Sequence, residues 1–203
     1  MPNNLDPQYT WFETYTGKHV NPFDIDPDTI CIEDIAHHLS LICRFNGACR
    51  FHYSVGQHSL HTLAIYEMKN KITSRSVKSE KQRLTCLAML LHDAAEAYTT
   101  DLIRPIKRNI PDLMKMDKDV TAVIVKKYGL ESADWEQVEL IDNITLRTEV
   151  RDLLSSKGVD WDVKDIVPVN FSITYHDPKE VEEAFLYTFS KYQNVKNDAF
   201  IPA

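Results

Sequence analysis

No run of apolar residues in this sequence approaches the roughly 18 needed to cross a bilayer, and no C-x-x-C pair occurs among its 4 cysteines. Cys31, Cys43, Cys49 and Cys86 therefore read as buried free thiols of a reducing compartment, not as a zinc ribbon or a redox motif. Glycine is scarce at 5 residues, and no Walker-type Gly-rich loop exists, which excludes P-loop and kinase chemistry. Positive charge is short as well. With 23 Lys and Arg against 30 Asp and Glu, the net charge of -7 argues against broad binding to nucleic-acid backbones. A small anion held by a few local Arg and Lys stays compatible with that balance. The opening MPNNLDPQ has neither the basic nor the apolar region of a signal peptide. A soluble cytoplasmic protein is expected, with neither nucleic acid nor membrane as partner.

What is present is an ordinary globular composition, 43% hydrophobic and 26% charged over 203 residues, enough for a single domain with a substantial core. Residues 1–30 carry Pro2, Pro7, Pro22 and Pro27 without helical period. They are expected to form an extended arm whose Trp11, Phe12, Tyr15 and Phe23 pack onto the body. Ile32, Ile35, Ala36 and Leu39 recur at helical spacing, continued by Ile42 and Cys43, and Asn46-Gly47 marks a turn. Ser54-x-x-Gln57 has the form of a capping box and starts a second helix. Residues 69–83 read as a solvated connector. The following helix is expected to run unbroken to Thr99-Thr100. Pro111 and Gly129 bracket another helix, Trp135 opens one with the stripe Val138, Ile141, Asp142, Thr145, Leu146, Glu149 and Leu153, and Asp177-Pro178 starts the last, burying Val181, Ala184, Phe185, Thr188 and Phe189. Residues 158–176 suggest a loop with a small hairpin. The expected fold is all-α, one domain of about six helices: arm 1–30, core 31–157, loop and C-terminal helix 158–203.

The chain is organised around Leu84 to Lys107. An apolar run ends in His92, Asp93 and Glu96, and at 3.6 residues per turn His92 and Glu96 share a face. Ionisable groups at the end of so apolar a helix are costly unless paired, hydrogen-bonded or bound to metal. His58 follows the second capping signal, and Asp142 stands inside an apolar stripe where leucine is expected. Each has an ordinary alternative, since a lone histidine on a half-buried face is usually a hydrogen-bonded core residue. His37, His38, His52, His61 and His176 are assigned to that alternative. Together, however, His58, His92, Asp93 and Asp142 supply two imidazoles and two carboxylates, a set suited to a first-row transition metal and built from several helices.

The pattern H…HD…D, with DIAHHLSLICRFNG, YSVGQHS, LLHDAAEAYTTDLIRPIK and DNITLRTEVRDLL, resembles the HD-domain phosphohydrolases over most of residues 33–153. It looks closest to the branch of bacterial 5′-deoxynucleotidases and phage dATP triphosphohydrolases. The resemblance implies a divalent metal (Co, Mn, Zn or Fe, with additional Mg accompanying the nucleotide) and a homo-oligomer acting on a small nucleotide. It implies that Glu96 and Asp101 work beside the metal, that Arg44 contacts phosphate, and that Phe45 lies near the nucleoside. Ala48 and His52 depart from relatives that carry His and Phe there, which bears on substrate fit. From the residues themselves, Arg44 and Lys107 are candidate phosphate contacts, with Arg104 a weaker one. Three local cations in an acidic chain tip the reading toward a triphosphate, and the resemblance alone implies dATP as the favoured substrate. The alternatives are a 5′-deoxynucleotidase of monophosphates and a non-catalytic nucleotide sensor.

Overall fold

The computed structural model describes residues 10–193. Six helices of ten or more residues make the body: α1 (Ile32–Leu41), α2 (Val55–Asn70), α3 (Glu80–Leu91), α6 (Pro111–Lys127), α7 (Trp135–Leu153) and α8 (Pro178–Gln193). Two short ones, α4 (Glu96–Thr99) and α5 (Arg104–Asn109), follow the break after α3. The sheet is a two-stranded antiparallel pair, β1 (Phe12–Glu13) with β2 (His19–Val20), in which Phe12 faces Val20. The all-α expectation holds.

Local chemistry sets the boundaries. Ser54 Oγ accepts from the Gln57 amide at 3.1 Å and starts α2. The Gln57 side chain does not return to complete the box; it donates to the Thr174 carbonyl at 2.8 Å and ties down the segment before α8. Pro111 opens α6, and Gly129 at φ +65 lets the Leu130 amide reach back to the Val125 carbonyl at 2.8 Å, closing the helix in a Schellman turn. α1 stops at Leu41, so Ile42 and Cys43 leave it in extended form, and Cys43 pairs with Ser54 in a lone bridge.

α3 is the axis of the core. Every residue from Leu84 to Leu91 is buried, and the helix packs against α2, α7 and α8. Fully burying such aliphatic side chains stabilises by about 1.5–3 kcal/mol each. Where α2 crosses α1, a Cβ on Gly56 would meet the Leu39 and Ser40 backbone at 3.2 Å, so a larger residue would push the two helices apart by a few tenths of an ångström.

Several expectations change. The arm is anchored by buried Val20 and Ile30 and by Asp34, which accepts from the Thr16 amide at 2.7 Å. Of its aromatics Phe12 packs on the apolar core and Tyr15 stacks on His37 of α1 at 3.6 Å, while Trp11 lies on His19 within the arm and, like Phe23, stays exposed. The connector shrinks to residues 71–79 and buries Ile72 and Val77. Residues 158–176 hold turns and no strand. On α8, Ala184 is exposed and Thr188 half-buried. Of the four free thiols only Cys86 is buried.

Candidate metal centre and cleft

The chain departs from α-helical geometry where its chemistry begins. After Leu91 the hydrogen bonds tighten to three-residue spacing: Ala94 to Leu91, Glu96 to Asp93, Ala97 to Ala94. In such turns side chains three apart eclipse. Asp93 and Glu96 therefore face one cleft together, while His92 turns inward and its Nδ1 meets the Met89 carbonyl at 2.9 Å. This corrects the expectation of an unbroken helix with His92 and Glu96 on one face.

The four residues singled out as ligands converge. His58 Nε2 lies 3.1 Å from His92 Nε2, 3.1 Å from Asp142 Oδ1 and 3.4 Å from Asp93 Oδ2. His92 Nε2 lies 3.5 Å from Asp93 Oδ2 and 3.7 Å from Asp142 Oδ1. The ring partners fix the tautomers. The Met89 carbonyl can only accept, so His92 carries its proton on Nδ1. His58 Nδ1 meets the Glu149 carboxylate at 2.5 Å, which likewise only accepts. Both Nε2 atoms thus present lone pairs to each other and to two carboxylates. Four acceptors crowded together repel unless a cation or extra protons lie among them, so the donor set fits a divalent metal; among the described residues, one ligand atom each of His58, His92 and Asp93 lie within 4.8 Å of one another.

The electrostatics agree. Burial and Arg44 would depress the His58 imidazole, but Glu149 and Asp142 outweigh them and raise it to about 9. His92 is also raised, with Asp93 and Asp142 overcoming burial. Burial would raise the Asp142 carboxyl, but the His58 and His92 imidazoles beside it hold it well below the ordinary carboxylate range. Glu149 falls to about 2, because Arg44 and His58 override the cost of burying it.

The centre floors a cleft of about 690 Å³. Glu96 is buried, its Oε2 has no hydrogen-bond partner, and burial, with Asp93 and Asp101 adding repulsion, raises its carboxyl well above the ordinary range. Asp101 is raised by burial too, and lies after Thr100, whose φ of 70 and ψ of 153 are almost confined to glycine. Arg44 Nη1 lies 3.3 Å from Asp93 Oδ2 and Nη2 lies 3.3 Å from Glu149 Oε2. The second contact is an ion pair without hydrogen-bond alignment, and it leaves Glu149 Oε2 unsatisfied. Phe45 lines the cleft opposite Trp161, edge to face at 6.0 Å, from a run of left-handed residues, Phe45, Asn46 and Gly47, at φ 55, 51 and 80. Lys107 lines the cleft but is paired to Asp117 at 2.8 Å.

Three residues emerge that sequence reasoning gave no role: Glu149, Tyr53, which donates to it at 2.8 Å, and Trp161. His61, assigned to the ordinary core, meets Tyr53 Oη at 2.9 Å. Burial depresses its imidazole to about 4. His52 stays peripheral, its Nε2 on the Leu41 carbonyl at 3.2 Å.

Comparison with known proteins matches residues 55–170 to the HD domain, a span that contains all four converging residues. The chain belongs to the HD-domain family. It is 34% identical over 192 residues to the uncharacterized protein YfdR of Escherichia coli K12, covering 94% of this chain and 99% of that protein. It is 28% identical over 187 residues to an uncharacterized protein of Rhodobacter capsulatus, covering 86% and 91%. HD domains are metal-dependent phosphohydrolases, and this chain brings the matching His and Asp cluster. Among the described residues no helix is long and apolar enough to cross a membrane.

Proposed function

We propose that this HD-domain protein hydrolyses the phosphate ester of a deoxynucleotide, with His58, His92, Asp93 and Asp142 holding one divalent transition metal. The observation that carries the reading is the pair of lone-pair-bearing imidazoles facing two carboxylates at the floor of a nucleotide-sized cleft. When bound, such a metal acidifies water and polarises a phosphoryl oxygen. Arg44, fixed between Asp93 and Glu149, presents its guanidinium to the phosphate. Burial, with Asp93 and Asp101 adding repulsion, favours the protonated form of Glu96, which is placed to give that proton to the leaving oxygen, with Asp101 orienting water or sugar. Phe45 and Trp161 flank the base.

The charge lining the cleft bears on the phosphate chain. Arg44, Arg104, Lys107 and Arg108 stand against Asp93, Glu96, Asp101, Asp142, Asp160 and Asp162. Arg44 and Lys107 are engaged with carboxylates, so the cation surplus that favoured dATP is largely spent. The geometry supports a 5′-deoxynucleotidase of monophosphates best. Hydrolysis of dATP to deoxyadenosine and triphosphate is the second reading, favoured by Arg104 and Arg108 at the exposed mouth. A nucleotide sensor has no use for a buried, unpartnered Glu96. The test supplies dAMP and dATP with Mn²⁺ or Co²⁺ and separates products by ion exchange. Deoxyadenosine and phosphate from dAMP are expected. Triphosphate from dATP with dAMP untouched would transfer the assignment to the second reading, and binding without turnover would leave the sensor.

A further inference from the structure

Glu149 is fully buried and stands outside the cleft. Stability alone does not account for it, since a buried charge network often gives way to apolar residues without loss of stability. Its two oxygens divide their partners. Oε1 receives His58 Nδ1–H at 2.5 Å and Tyr53 Oη–H at 2.8 Å; Oε2 faces Arg44 Nη2 at 3.3 Å. Behind Tyr53, His61 Nδ1 closes the chain at 2.9 Å. The carboxylate only accepts, so Tyr53 must donate to it, and its oxygen is left to accept from His61. The chain of protons has one direction.

That direction matters because the opposite side of His58 pulls the other way. Asp142 at 3.1 Å and Asp93 at 3.4 Å both favour a proton on Nε2, where it would block the lone pair. Only Glu149 opposes them. We propose that Glu149 is a positioning residue that keeps His58 in its metal-ligating tautomer and ties its ring to Arg44, with Tyr53 and His61 bracing the carboxylate from behind. The inference rests on the reading of His58 as a metal ligand. α7 makes it possible: Glu149 lies seven residues after Asp142, two turns along the same face, roughly 10 Å deeper. One helix carries both a proposed ligand and the group that orients another.

The test reads metal binding and the imidazole proton without any substrate. Apo protein is titrated with Mn²⁺ for wild type, Glu149→Gln and Tyr53→Phe, and the His58 Nδ1–H resonance is followed by ¹H–¹⁵N NMR. Glu149→Gln should weaken Mn²⁺ binding by roughly 10–100-fold and shift or abolish the far-downfield His58 resonance, a signature that a merely structural role would leave in place. Tyr53→Phe should weaken binding by roughly two- to tenfold. Wild-type affinity and an unchanged resonance in Glu149→Gln overturn the inference. If that variant does not fold, Tyr53→Phe decides on the same two measurements, and no change in either overturns it. A wild-type protein that takes up no Mn²⁺ sinks the metal reading itself, which is a different result from a wild type that binds and a Glu149→Gln that binds equally well.

Discussion

At the floor of the cleft, α2, the turn after α3, and α7 bring together groups far apart in sequence, and the ring nitrogens of His58 and His92 each have a named partner. At the rim, α5 and residues 160–163 present Arg104, Arg108, Asp160 and Asp162 in exposed positions. Floor geometry is over-determined by packing against a fully buried helix, so small changes there are felt at once. Rim side chains sit on a short helix and a loop, the elements that tolerate change best. In the proposed reading the reaction is therefore set at the floor and the choice of substrate at the rim.

Five substitutions would break or sharpen that contrast. The largest effect is expected at the floor. Asp93→Ala or His92→Ala should abolish metal content and turnover together; elemental analysis showing full occupancy in either variant would remove these residues from the centre. Between floor and rim, Glu96→Gln should keep the metal while turnover falls by roughly 10²–10⁴, because shape survives and proton transfer does not. Loss of the metal in that variant would make Glu96 a ligand instead.

Behind the floor, His61 gives a pH dependence. Its folded imidazole titrates near 4 against an ordinary value of 6.5, so the unfolded chain takes the proton first as pH falls. The stability it contributes is complete above about pH 6.5 and is lost on the way to pH 4, about 3 kcal/mol in all. Urea unfolding of the apo protein at pH 7 and pH 4.5 should show a smaller fall for His61→Phe than for wild type. An equal fall would mean that His61 is not the group responsible. The smallest effect is at the rim. Trp161→Ala should raise KM for dAMP about tenfold, the loss of one stacking contact, and leave p-nitrophenyl phosphate unaffected. A matching loss on both substrates would mean that Trp161 supports the floor.

The helices were legible because their ends are written in local chemistry: Ser54, Pro111, Gly129 and Pro178 each act within a few residues. The four converging residues were legible for a related reason, since an aspartate in an apolar stripe and a His-Asp pair ending an apolar run are local anomalies. The tightening after Leu91 was not, because nothing in HDAAE separates an α-turn from a 3₁₀ one. Glu149 stood in the same stripe as Asp142, but its partners lie 91 and 96 residues away, and spacing along one helix carries no trace of them. Lys107 read as a free cation because Asp117 lies on a different helix. Trp161 belongs to a segment without periodicity, where pattern says nothing about what faces what.

The turn that presents Phe45 has a consequence for how the sequence can drift. A phenylalanine at φ 55 gives up about 1–2 kcal/mol relative to an ordinary backbone conformation, and Asn46 is the better-suited residue beside it. Phe45→Gly would relieve that strain but forfeit the packing of a half-buried ring against the apolar clusters around Tyr53 and Leu146, so it brings no gain in Tm. The same exchange would remove the ring that stands across from Trp161. Position 45 is held to an aromatic by its packing and by the cleft, against the preference of its own backbone.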